Sequence, residues 1–122
     1  MQFSLGVINF KNGDKYRGEF KDGRPCGTGQ MNYKNSLCNQ NGVIEEATYE
    51  GRWKGGHREG YGALNWVDQT SYQGLWRYDQ RLEGEQRLAN GNVYEGKFLN
   101  DKMHGYGRLY LVGGAIFEGN FN

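Results

Sequence analysis

A five-residue motif recurs along this chain, and its regular spacing restricts the possible folds more than any other feature. The motif is an aromatic residue, any residue, glycine, any residue and a second aromatic residue. With start-to-start spacings of 33, 23, 22 and 23 residues, its five copies begin at Tyr16, Tyr49, Tyr72, Tyr94 and Phe117. Self-similarity at such a period is typical of repeat arrays, in which each unit needs its neighbours for stability. The sequence therefore predicts one continuous array over residues 1–122.

A second motif, glycine-any residue-glycine, follows the first and completes the unit. It stands at Gly27-Thr28-Gly29, Gly60-Tyr61-Gly62 and Gly105-Tyr106-Gly107. In the unit that begins at Tyr72, Leu82 takes the place of the first glycine. The same frame makes residues 1–15 the second half of a unit, residues 117–122 a first half, and residues 35–46 an insertion.

Alternation within each unit indicates β-strands. Tyr49, Gly51 and Trp53 point to one face of a strand, and the charged residues between them point to the other. One strand for each motif predicts an all-β fold of about ten short strands in consecutive hairpins. Asn12-Gly13 and Asn90-Gly91 predict two-residue type I′ turns, because both central residues of that turn need positive φ.

Aromatic rings are expected to form the core, since they make up 15% of the chain. A ring on one strand can lie over a glycine on the next, where no Cβ blocks it. Each buried ring removes on the order of 150–250 Å² from water. We therefore predict buried rings at Tyr49, Trp53, Tyr72, Trp76, Tyr94 and Phe98.

The two motifs at a 23-residue period resemble the MORN repeat (membrane occupation and recognition nexus). The resemblance covers about residues 5–121, and it departs from the family pattern at the insertion, at Leu82 and at Phe117. It implies an elongated, twisted, single-layer antiparallel sheet. It also implies settings in which such arrays recur: cytoskeletal collars, ciliary axonemes and radial spoke heads, and membrane junctions. We therefore expect a cytoplasmic protein of the cytoskeleton or cilium.

Composition excludes several classes of function. Fifteen Lys and Arg against 14 Asp and Glu leave a net charge of +1, so no strong field for nucleic acid is expected. No apolar run approaches the ~18 residues of a membrane span, and residues 1–10 do not read as a secretory signal. Two cysteines, Cys26 and Cys38, form no disulfide framework, and a reducing cytosol is expected.

The sequence predicts no catalytic, cofactor or metal site. The Gly-x-Gly pairs lack the Lys-Ser/Thr that follows a phosphate-binding loop. His57 and His104 have no second ligand at metal-binding spacing, so loop hydrogen bonding is expected for both. Cys26 and Cys38 lack an identifiable base and are interpreted as inert thiols. The close carboxylate pairs lie in or beside loops, which favours solvated charge over acid–base chemistry.

The favoured function is a non-enzymatic scaffold or adaptor that binds a protein partner. Exposed aromatic residues dominate protein interfaces, so an aromatic groove on the sheet is the expected contact surface. Its predicted residues are Tyr33, Trp53, Trp66, Tyr72, Trp76 and Phe98. One alternative is a peripheral membrane module that binds phosphoinositides, with its best basic cluster at Arg52, Lys54 and Arg58. Another is a targeting domain of a larger enzyme.

The ends of the array and its insertion give two further expectations. Residues 5–10 and 116–121 are the terminal strands, and their only nearby charges are Lys11 and Glu118. A bare strand edge templates further pairing, so we expect association through the edges, with a partner strand or with a second copy. Residues 35–46 are interpreted as a loop at one edge of the sheet, with Val43-Ile44 its only apolar pair.

Overall fold

A computed structural model describes residues 3–39 and 41–122, and its ten strands form one open antiparallel sheet. Sheet order equals chain order, so every connection joins neighbouring strands. The predicted all-β fold is confirmed. The units predicted over 1–15 and 35–46 each include residues outside the described ranges. The strands are β1 (Ser4–Asn9), β2 (Lys15–Lys21), β3 (Arg24–Tyr33), β4 (Ala47–Lys54), β5 (His57–Trp66), β6 (Ser71–Arg77), β7 (Gln80–Arg87), β8 (Val93–Leu99), β9 (Lys102–Tyr110) and β10 (Ile116–Phe121).

The two Asn-Gly pairs do not form the predicted type I′ turns. At the first pair only Gly13 has a positive φ, of 100°. Gly13 N–H donates to the Phe10 carbonyl at 3.1 Å and Phe10 N–H to the Asp14 carbonyl at 2.9 Å, which closes a three-residue loop. Asn12 Oδ1 accepts the Asp14 N–H at 2.9 Å and stabilises that loop. The same bonds recur at Asn90-Gly91, so the type I′ prediction is wrong at both pairs.

The two-residue turns lie inside the units instead. Gly55-Gly56 has φ values of 57° and 89°, and Tyr78-Asp79 has 48° and 66°. Asp22-Gly23 and Asn100-Asp101 also have positive φ at both positions. Two successive positive φ values are what a type I′ turn requires, and its twist matches that of the flanking strands.

Four tyrosine rings lie over glycines of the following strand. A Cβ added at Gly62 would overlap the Tyr49 ring. The Tyr49 hydroxyl in turn donates to the Arg52 carbonyl at 2.9 Å, so the buried O–H is satisfied. The same arrangement places Tyr16 over Gly29, Tyr72 over Gly84 and Tyr94 over Gly107. We call this side of the sheet the aromatic face and the opposite side, which carries Glu50 and Arg52, the charged face.

Rings of neighbouring units pack edge to face in one continuous row. Trp53 lies 5.5 Å from Tyr16 and 4.9 Å from Tyr49, measured between ring centroids. The row continues through Trp76, Tyr72, Phe98 and Tyr94 to Phe121. The six rings predicted to be buried are each at most 6% exposed, which confirms that prediction. The core of this single sheet is therefore a row of rings that pack edge to face along the array.

The insertion packs on the aromatic face, which the sequence did not predict. Leu37 contacts the ring core, and with Cys38 it lines a small cavity bordered by Arg58 and Trp76. A bridge between Cys38 and Ile44 gives the segment its own short hairpin. Val43 and Ile44, the apolar pair that the sequence analysis noted, are exposed. The segment therefore covers the aromatic face through Leu37, whereas its predicted position was at one edge of the sheet.

Deletion of residues 36–45 is expected to leave the sheet folded and to lower the free energy of unfolding by about 1–2 kcal/mol. Leu37 is partly buried, and complete burial of a leucine contributes about 1.5–3 kcal/mol. Urea unfolding followed by circular dichroism measures the change, with Val43→Ser as a control that leaves stability unchanged. Loss of the β signal in water would show that the segment is an essential part of the core.

Candidate functional site

The aromatic face carries a groove of about 560 Å³ over the first two units. Side chains from three strands and two loops border it, which places both apolar and charged groups around one space. Its apolar walls are Phe10, Pro25, Met31, Tyr33 and Trp53. Its polar lining includes Asn12, Asp14, Arg24, His57, Arg58 and Asp79.

The groove lies where one unit lacks a pair of side chains that the next unit has. Arg58 and Asp79 form that pair, and their backbones are joined by an Asp79 N–H to Arg58 carbonyl bond of 3.1 Å. The corresponding bond one unit earlier joins the Gly56 N–H to the Pro25 carbonyl at 2.9 Å. Because proline and glycine replace the guanidinium and the carboxylate, the space beside Trp53 stays open. One unit later, Arg81 and Asp101 repeat the pair.

Arg58 forms a fixed end wall of this groove. Its guanidinium carbon lies 4.7 Å from the Trp76 ring centroid and 5.5 Å from that of Tyr33. Its Nε donates to Asp79 Oδ1 at 3.1 Å, and the residue is 8% exposed. Removing Asp79 would leave the buried Arg58 charge without its ion-pair partner. The position of Arg58 is therefore held by rings on both sides and by one carboxylate.

Asp79 accepts hydrogen bonds from three groups. Two of them are the backbone N–H of Arg58, at 2.7 Å, and the Arg58 Nε–H. The third is His57, whose Nδ1 lies 2.7 Å from Asp79 Oδ2. Burial raises the pKa of Asp79, but the bonds from His57 and Arg58 outweigh burial and hold it below its usual value. The folded state thus binds a proton at Asp79 less readily than the unfolded chain does.

This pKa shift predicts an acid-sensitive contribution to stability. A carboxyl group with a lowered folded-state pKa stabilises the protein above its unfolded pKa, near pH 4, and loses that contribution as pH falls through the folded value. Asp79→Asn is expected to lower the melting temperature at pH 7 and to flatten its decline below about pH 4. Asp22→Asn, the same substitution at an exposed turn residue, is the matched control. Parallel acid declines for wild type and Asp79→Asn would contradict this role of the carboxylate.

The structure separates the six residues predicted to line a groove. Trp53, Tyr72, Trp76 and Phe98 are core residues with almost no accessible surface, because rings of neighbouring units cover them. Of the six predicted residues, only Tyr33 and Trp53 line the groove that Phe10 and Pro25 also border. Trp66 is half-buried and borders a second hollow of about 570 Å³, together with Tyr33. Tyr33, Trp53 and Trp66 are therefore the predicted residues that border these two hollows, and their role in partner binding stays a prediction.

Three groove residues were missed by counting aromatics in the motifs alone. Phe10 aligns with Tyr33 and Trp66 when the Gly-led strands are superimposed, so repeat position could have identified it. Met31 lies two residues after Gly29 on the same face. Pro25 could have been found as the one position where a proline replaces Arg58 of the next unit.

Tyr33 keeps a neutral hydroxyl at the groove wall. Burial raises its pKa to about 12, and the nearby Arg58 charge only partly opposes that effect. The group therefore remains a hydrogen-bond donor over the physiological pH range. Its ring also faces the Arg58 guanidinium, which orients it.

Other candidate chemistry is dispersed over the structure. His57 contacts Asp79, Cys26 is half-buried and Cys38 is exposed. Within residues 3–39 and 41–122, no three His, Cys, Asp or Glu side chains gather closely enough to hold a metal ion. The same ranges contain no helix long and apolar enough to cross a membrane.

The basic cluster predicted for anionic lipid does not form. Arg52 and Lys54 lie on the charged face, whereas Arg58 is buried on the aromatic face and paired with Asp79. A strand places successive side chains on opposite faces, and the bulge after Gly51 does not bring these three together. Of the three residues in the predicted cluster, only Arg52 and Lys54 are exposed.

Tandem hairpins with tyrosine stacked over glycine define a β-repeat array, and comparison with known proteins identifies its kind. A family profile described as MORN repeat matches residues 16–37, 49–71 and 94–116, more than half of the chain. The chain belongs to the MORN-repeat family.

Two named relatives are similar to this chain. Alsin from Homo sapiens and Alsin from Mus musculus are each 37% identical to it over 86 residues, which cover 64% of this chain and 5% of Alsin. MORN repeat-containing protein 3 from Xenopus laevis is 33% identical over 96 residues, 79% of this chain and 30% of that protein. The chain thus spans a small part of the length of these relatives.

Proposed function

We propose that this chain is a non-enzymatic adaptor that binds an apolar segment of a protein partner in the groove on its aromatic face. The observation that carries the proposal is the open space lined by Phe10, Pro25, Met31 and Tyr33 beside the fixed Arg58. A pocket with apolar walls and a few fixed polar groups suits one apolar side chain flanked by backbone. The guanidinium is already paired with Asp79, so an apolar anchor fits better than an acidic one.

Peptide-display selection against the folded chain tests the groove. Selected peptides are expected to shift NMR signals of Met31, Tyr33 and Arg58. Phe10→Ala is expected to weaken binding at least about tenfold, since Phe10 lines the groove with a partly exposed ring and such a loss equals about 1.4 kcal/mol. Tyr61→Ala removes an exposed ring from the charged face and is the matched control. Peptides that bind both variants alike, or that shift signals of the charged face, would overturn the proposal.

Phosphoinositide binding is the competing function, and one measurement separates it. The division of Arg52 and Lys54 from Arg58 lowers the positive charge that one face can offer a membrane. We expect no salt-sensitive co-sedimentation with vesicles that contain phosphoinositides. Sedimentation that increases at low salt and is lost on Arg52→Glu would favour the membrane function.

A related proposal is that such repeats act as a binding segment of a larger protein. The match to 5% of Alsin supports it, because the similar stretch there lies within a much longer chain. Cytoplasmic location in a cytoskeletal or ciliary assembly is also proposed, with support from the family resemblance. Cross-linking mass spectrometry from native material, together with imaging of the tagged chain, tests both.

The sheet edges are proposed as a second contact surface. Within residues 3–39 and 41–122, β1 and β10 are the outer strands of the sheet, so each has one row of backbone groups outside the ladder. Extended segments add to such edges through backbone hydrogen bonds, while side chains determine specificity. The groove and the edges are separate surfaces, so variants can test them independently.

A further inference from the structure

We propose that the partner segment in the groove carries an aliphatic side chain of leucine type next to a carboxylate. This inference rests on the proposed function, because it names the chemistry of the segment that the groove binds. Both groups already occur inside the chain, at the equivalent place one unit further along the array. There Leu37 supplies the aliphatic side chain and Asp79 supplies the carboxylate.

The groove and the small cavity that Leu37 lines are the same place in two successive units. Corresponding residues stand at equal distances from the motif glycines, either Gly29 and Gly62 or Gly51 and Gly74. By that alignment, three groove residues have counterparts that line the cavity: Met31 and Leu64, Tyr33 and Trp66, Trp53 and Trp76. The two sites therefore present similar apolar walls to the group that fills them.

In the second unit that group is the side chain of Leu37. It is partly buried against the ring core, and a cavity of about 90 Å³ remains beside it, compared with about 560 Å³ in the groove. The backbone of Leu37 stays in the hairpin of the insertion, where its carbonyl accepts the Glu45 N–H at 3.1 Å. One aliphatic side chain presented by a short hairpin thus occupies such a site, and a leucine from a partner fits the open copy.

The groove also lacks a carboxylate that the second unit has. In the second unit His57 Nδ1 lies 2.7 Å from Asp79 Oδ2. Arg24 takes the place of His57 in the first unit, and Gly56, which has no side chain, takes the place of Asp79. The Arg24 side chain lies 3.7 Å from the position that a Cβ at Gly56 would occupy. Arg24 is therefore placed to pair with a carboxylate that the first unit does not supply.

Arg24 is a cation without an ion-pair partner at the rim of the groove. It is exposed, and no carboxylate of residues 3–39 and 41–122 lies within ion-pair distance of it. Arg58, by contrast, is buried and already paired with Asp79. Charge complementarity thus favours an acidic residue beside the leucine of the partner, and it places that acid at Arg24.

Peptides selected by display against the folded chain are the probe, and their composition is the first test. Those that lose binding on Phe10→Ala are expected to share a leucine, isoleucine or methionine with an aspartate or glutamate near it. Replacing the aliphatic residue of the peptide by alanine is expected to weaken binding at least about tenfold. Replacing its acid by the matching amide is expected to weaken binding about two- to fivefold, as for an exposed ion pair.

A charge exchange then tests the role of Arg24. Arg24→Glu is expected to weaken binding of the acidic peptides at least about fivefold, and to restore it for peptides in which lysine replaces the acid. Arg52→Glu is the matched control, because the Arg52 side chain also lies over a glycine, Gly60, but on the charged face. It is expected to leave both affinities unchanged.

The outcomes separate this inference from the proposed function. Groove-binding peptides that share no aliphatic residue and acid, or that bind wild type and Arg24→Glu alike, would overturn the inference and leave the adaptor function standing. A folded chain that selects no groove-binding peptide would overturn both. Dimerisation that is lost on Phe10→Ala would show that a second copy fills the groove, and would likewise overturn the inference.

Discussion

Trp53→Ala is expected to lower the free energy of unfolding by about 3–5 kcal/mol, the range seen when a large buried ring is truncated. Trp53 packs between Tyr16 and Tyr49, which belong to two different units, with centroid distances of 5.5 and 4.9 Å. Its Nε1 also donates to the Gly29 carbonyl at 3.1 Å, so the variant loses packing and a buried hydrogen bond together. Equilibrium urea unfolding measures the loss.

Arg52→Ala is the control, since Arg52 directly precedes Trp53 and lies exposed on the charged face. Its expected effect is within about 0.5 kcal/mol. Equal losses for the two variants would mean that the faces of β4 are wrongly assigned. Because each ring connects two units, unfolding of the Trp53→Ala chain should also become less cooperative between its N- and C-terminal units.

Strand positions and faces were predictable because the motif itself contains the packing rule. Tyrosine on one strand and glycine on the next fit each other sterically, so the repeat spacing determines register as well as strand number. Tyr49 over Gly62 and Tyr94 over Gly107 are products of that rule. The fold thus follows from local sequence without long-range information.

Turn types were not predictable from the Asn-Gly pairs alone. In both pairs the asparagine side chain accepts a backbone N–H two residues later, which favours a longer loop ending in a left-handed glycine. The tight turns use pairs as different as Gly55-Gly56 and Tyr78-Asp79. At Tyr78-Asp79, hydrogen bonds donated by Arg58 to the Asp79 carboxylate accompany a backbone conformation that non-glycine residues rarely adopt.

Which of the predicted groove residues are accessible could not be read from the sequence. Counting aromatic residues could not show that Trp76 and Phe98 are each covered by a tyrosine of the preceding unit, because burial depends on contacts between units. The groove arises from an absence, Pro25 and Gly56 in place of an arginine and an aspartate, and an absence is visible only after the units are aligned in space. Leu37 on the aromatic face is a contact of the same kind, from a segment outside the repeat pattern.

Gly62→Ala is expected to cost about 3 kcal/mol, the upper end of the usual range for overpacking, although it adds a single methyl group. The added Cβ would overlap the Tyr49 hydroxyl and the ring carbon that bears it. Gly62 has no positive φ, so alanine meets no backbone penalty and the cost is steric. Tyr49 cannot retreat, because its hydroxyl is bonded to the Arg52 carbonyl and its ring is held between Trp53 and Trp76.

Two comparisons make the result specific to the pairing of ring and glycine. Gly113→Ala adds the same methyl group where no atom lies within 4 Å and φ is not positive, and its expected effect is within about 0.5 kcal/mol. In a Tyr49→Ala background, Gly62→Ala should add little further loss, because the group it would overlap is gone. Residues in contact show such non-additivity, with interaction energies of about 0.5–3 kcal/mol. Fully additive losses in this double-mutant cycle would show that Gly62 is required for a reason other than the tyrosine above it.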